Sequence, residues 1–136
     1  MVCMALITKG NNSLSVPIII DSRWEVDLVL NMGDVERLGT KFTRHGAVRF
    51  GDGKEVVSLT KYGEVTVRIF FQNNAFVEAE MTPAVFKVDE VESSNARNEI
   101  ESETFRVPGA RLLGYSGLNR MGLIQDFDQH CLSYIS

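Results

Sequence analysis

The chain has 136 residues, 44% of them hydrophobic and 24% charged, with a formal net charge of -4. That is one domain's length, too apolar and too nearly neutral for wholesale disorder. No apolar run reaches the roughly 20 residues of a membrane helix, and the negative balance argues against a nucleic-acid partner. Residues 1–7 have neither a basic start nor a full-length apolar core, so no secretory signal is read and a cytoplasmic setting is expected. Free thiols are expected there for Cys3 and Cys131. The two cysteines and two histidines have no metal-ligand spacing, and neither a metal nor another cofactor is expected.

Alternating and β-branched runs predict strands over residues 2–8 and 14–21, joined by a turn at Gly10-Asn11-Asn12. The second run is nearly all apolar and reads as buried on both faces. A short strand follows at 26–30, then a helical turn at 33–38 closed by Gly39. Further strands are predicted at 42–50, 56–60, 64–71 and 76–81, with the meander ending at Pro83. Gly51-Asp52-Gly53 is a strong hairpin turn, and Asn73-Asn74 is the next. Residues 111–113 are a short apolar element, a short helix surrounds Leu118, and 124–127 with 131–135 form a closing hairpin. Phe70 and Phe71 fall on opposite sheet faces, which leaves one of the rings free for a contact between subunits. The expectation is an all-β single domain over 1–136, with one or two short helices.

Charge is unevenly placed. Residues 89–103 hold six acids (Asp89, Glu90, Glu92, Glu99, Glu101, Glu103) against one base, Arg97, and the rest of the chain is close to neutral. This reads as a solvated acidic loop insertion at about 88–106.

The informative residues start at Val16-Pro17-Ile18-Ile19-Ile20-Asp21-Ser22, an apolar strand that ends in an acid and a small hydroxyl residue. Burial of the strand disfavours a charged carboxylate at its tip, which makes Asp21 a candidate acid or base. A turn former or helix cap is the plainer reading of such an aspartate. The second informative piece is Leu112-Leu113-Gly114, followed by a short helix and a Gly-Leu-Ile strand. His45, His130, Asp126 and Asp128 have no partner spacing that points to chemistry, and Trp24 reads as core or interface.

In their order these segments resemble the retropepsin-like, pepsin-related aspartic proteases, most closely the single-lobe prokaryotic type. Asp21-Ser22-Arg23 stands at the family's Asp-Thr/Ser-Gly and is followed by Leu28-Val29-Leu30 and Leu38-Gly39. A flap-like hairpin runs from Phe50-Gly51-Asp52-Gly53 to Tyr62-Gly63, and Leu112-Leu113-Gly114 precedes the last helix. The resemblance covers about 14–132 and implies a small closed barrel. It also implies a homodimer in which two copies of Asp21 face each other, about 3 Å apart, sharing one proton and activating a water to cut peptide bonds. Ser22 and Gly114 would support that pair, while Gly51, Asp52, Gly53 and Tyr62 would fold over an extended peptide.

Arg23 departs from the pattern, standing where the family has glycine. It brings bulk and a permanent positive charge beside Asp21, and both oppose the shared-proton state. Three readings follow: an aspartic endopeptidase, a catalytically inactive protease-fold dimer that binds a peptide or protein, or another small β-barrel with an interaction role whose likeness to the family is accidental.

Overall fold

The computed structural model describes residues 1–50, 55–87, 111–126 and 131–134. The acidic window, the Gly51-Asp52-Gly53 turn, Asp128 and His130 lie outside the described residues. In chain order the elements are β1 (Val2–Lys9), β2 (Asn12–Ile20), β3 (Leu28–Val29), α1 (Met32–Leu38), β4 (Phe42–Phe50), β5 (Glu55–Tyr62), β6 (Val65–Phe70), β7 (Phe76–Met81), β8 (Pro83–Phe86), β9 (Leu112–Leu113), α2 (Tyr115–Arg120), β10 (Leu123–Asp126) and β11 (Cys131–Tyr134). No helix among them is long and apolar enough to cross a membrane.

The chain is mostly β. Nine strands form one curled sheet in the order β4-β5-β8-β3-β9-β2-β1-β6-β7, and β10-β11 is a separate hairpin. Among the described residues no pairing joins the edges β4 and β7, so the sheet is open where a closed barrel was expected. The edges serve different cores. Val48 of β4 packs with Trp24, Val57, Leu59 and Leu112, whereas Met81 of β7 packs with Ile7, Ile18, Val67 and Ile69.

Local chemistry explains most elements. The β1–β2 hairpin turns at Gly10, whose φ of 58° is open to glycine at little steric cost. Strand β2 buries only alternate residues, Leu14, Val16, Ile18 and Ile20, and exposes Ser13, Ser15 and Pro17. The expectation of burial on both faces fails because β2's second face meets solvent along most of its length. Phe70 is exposed and Phe71 packs against the larger core, as the alternation predicts.

Helix α1 opens on a capping box. Asp34 N–H donates to Asn31 Oδ1 at 2.8 Å, and Asn31 N–H donates back to Asp34 Oδ2 at 3.3 Å. It closes on Gly39 in the left-handed region (φ 72°). Buried Asp34 also receives both arms of Arg111, Nε to Oδ2 at 2.8 Å and Nη2 to Oδ1 at 2.9 Å, which ties the helix to the residue before β9. Asn31→Ala is expected to lower stability by about 1 kcal/mol. Thermal unfolding followed by circular dichroism checks this as a fall in Tm of about 3–5 °C.

Candidate functional site at the tip of β2

Three short elements, remote in sequence, converge at the end of β2. Strand β9 runs parallel to β2, pairing Ile19 with Leu112 and Ile20 with Leu113. Its other edge pairs antiparallel with β3, Leu28 with Leu113 and Val29 with Leu112. The segment 21–27 therefore leaves β2, loops outward and returns as β3, with β9 threaded between its two ends. Asp21 N–H donates to Leu113 O at 3.0 Å, which places Asp21 beside Gly114.

The start of α2 clasps that loop through its backbone. Gly114 N–H donates to Asp27 O at 3.1 Å and Tyr115 N–H donates to Trp24 O at 2.8 Å. The approach is so close that a Cβ on Gly114 would collide with Val26 O and lie 2.7 Å from Trp24 O. Trp24 is turned inward, fully buried, with its ring 5.2 Å from that of Phe86. The clasp also shortens β3 from the expected 26–30 to two residues, because the backbone of Val26 and Asp27 is engaged by α2.

Asp21 is 5% exposed, and its carboxylate is held by the residue two positions on. Arg23 Nε donates to Oδ1 at 2.8 Å, Nη2 donates to Oδ2 at 2.7 Å, and Arg23 N–H adds a third bond to Oδ1 at 3.1 Å. Both carboxylate oxygens are thus engaged by a bidentate fork, and the guanidinium faces outward with its side chain 46% exposed. Next to it, Ser22 N–H donates to Gln125 Oε1 at 2.9 Å, and Gln125 Nε2 donates to Ile20 O at 3.3 Å. Gln125 of β10 therefore staples the tip of β2.

A cavity of about 200 Å³ lies on the far side of the same loop. Its lining includes Val26, Asp27, Val48, Leu59, Ala84 and Arg120, and Asp21 is not part of it. Asp27 is buried there, accepting from Thr82 N–H at 2.9 Å and from Arg120 Nε at 3.1 Å. Tyr62, expected over a bound peptide, turns to the opposite face from Lys61. Its hydroxyl donates to Met32 Sδ at 3.3 Å and its ring packs edge-on to Phe42. His45 is exposed beside Phe42. Cys3 is a free, half-buried thiol whose pKa burial pushes up. Among the described residues, no three His, Cys, Asp or Glu side chains come together to hold a metal.

The structure thus brings together Asp21, Ser22, Arg23 and Gly114. Gln125, Asp27, Arg111 and Arg120 join them with no local sequence signal, since their partners lie 55 to 105 positions away. No protein-family model and no curated protein sequence matches the chain.

Proposed function

We propose that the chain is a single-lobe, retropepsin-like protein that pairs as a homodimer and binds an extended peptide or protein segment without cutting it. The shared order of segments supports the kinship: an apolar strand tipped by Asp21, a glycine-terminated strand threaded beside it, and a hairpin, β4–β5, standing over a cavity. In such a dimer the open sheets of two copies form the walls of one cleft, which an extended chain enters by pairing with strand edges.

One observation carries the non-hydrolytic reading, and it is the fork of Arg23 on Asp21. Peptide hydrolysis by paired aspartates needs a carboxylate oxygen free to hold water and a proton shared between the pair. Here both oxygens accept from one guanidinium, which occupies the carboxylate edge that a water would need.

The endopeptidase reading is favoured by the placement of Asp21 beside Gly114. Denatured casein incubated at acid pH with wild type and with Asp21→Asn separates the two. Equal, background cleavage by both is expected, and cleavage by wild type alone establishes the endopeptidase. Sedimentation velocity at micromolar concentration is expected to show a dimer. A chain that stays monomeric removes both readings.

A further inference from the structure

The cavity beneath β4–β5 has an apolar floor of buried Val48, Leu59 and Ala84, and two cations stand over it, Arg44 and Lys61. They are register partners on adjacent antiparallel strands, directly opposite each other. Like charges in that position lower stability. The pairing ends the regular register that runs from Phe50 opposite Glu55 to Arg44 opposite Lys61. Arg44 shares its face with Gly46 and buried Val48 by the strand's two-residue period, opposite Leu59 and Lys61, and the register is irregular only beyond it, between Phe42 and Arg44. Gly46 leaves room for the lysine stem, since a Cβ there would lie 3.0 Å from Lys61 Cε.

Among the described residues neither Arg44 nor Lys61 has an acidic partner, and Arg120 uses only Nε, on Asp27. Asp27 is itself committed to Arg120 and to Thr82 N–H, which leaves exposed Glu25 as the one uncommitted acid on the rim. Two opposed cations over an apolar floor, at an energetic disadvantage, are what an incoming carboxylate on an aliphatic stem would satisfy.

We propose that this cavity receives the side chain of a glutamate or aspartate from a bound peptide, with Arg44 and Lys61 donating to its carboxylate. The inference rests on the peptide-binding reading and gives that cleft its selectivity. Immobilised wild-type protein exposed to a randomised nonapeptide library provides the test, with the retained peptides sequenced. Acidic residues are expected to be enriched at one position about five-fold over their amides, equivalent to about 1 kcal/mol.

The Arg44→Gln/Lys61→Gln double variant should lose that enrichment while its Tm stays level or rises, because the opposed charges are gone. Lys61→Glu should shift the preference toward basic residues. Peptides retained with no acidic preference, or a preference unchanged in both variants, overturn this assignment alone. If wild type retains no peptide, the peptide-binding reading fails and this assignment fails with it.

Discussion

Gly114→Ala is expected to leave the protein largely unfolded at temperatures where the wild type is native. The added methyl would meet two backbone carbonyls, Val26 O and Trp24 O, and the Val26 side chain at 2.7 Å. Carbonyls fixed in hydrogen bonds cannot rotate aside like a flexible side chain. Relief would have to break the bonds from Gly114 N–H to Asp27 O and from Tyr115 N–H to Trp24 O, which hold α2 against the loop. Overpacking of this kind costs about 3 kcal/mol, and in a domain of this size that lowers Tm by about 10 °C. Gly117→Ala should behave alike, since its Cβ would collide with Asp27 O and lie 2.7 Å from Leu113 Cδ1. Gly122→Ala is a contrasting control. It has open space around it, and its effect should be limited to the strain of a φ of 73°. Thermal melts of the three variants read this directly. Wild-type stability in Gly114→Ala would contradict the close approach of Gly114 to the 21–27 loop.

Arg23→Gly is expected to switch on acid proteolysis. Removing the guanidinium releases Oδ2 of Asp21, leaves on Oδ1 the backbone N–H of residue 23, and takes away the positive charge beside the carboxylate. General acid–base work by a freed pair should raise cleavage of denatured casein at acid pH by about 100-fold or more over wild type. Asp21→Asn placed on top of Arg23→Gly should return it to background. The variant also leaves a nearly buried carboxylate without its cation. Asp21 is the buried partner and Arg23 the half-exposed one, so the loss is about 3 kcal/mol, and a thermal melt of the variant accompanies the assay. A variant that is folded, dimeric and still inert would show that the fork on Asp21 is not what blocks hydrolysis.

Much of the scaffold was legible in the chain. Strand β4 and strand β7 have the bounds that alternation predicts, and the turn at Gly10 and the αL close of α1 at Gly39 follow from glycine's conformational freedom. The misses have physical reasons. Strand β8 was not foreseen because Pro83 reads as a terminator. Proline is tolerated at the first residue of a strand, and β8 takes its place by pairing in parallel with β3. The closed barrel was expected from resemblance, whereas strand order depends on which core each edge covers, and that is not a local property.

At the site, Asp21 and Gly114 could be singled out because their flanking patterns are local. The charge of Arg23 was visible too, though its bidentate geometry was not. Arg111, Arg120 and Gln125 could not be found, because a polar residue in a short helix or strand does not announce a partner on the far side of the fold.

The central claim is that two copies of this chain meet with the tips of β2 facing each other. Double electron–electron resonance on a nitroxide at exposed Glu25→Cys, with Cys3 and Cys131 changed to serine, measures that arrangement in solution. The account predicts one narrow, short distance between the two labels, since both lie on the loop that follows Asp21. A long distance, or no dipolar coupling in a sample that sediments as a dimer, would contradict it.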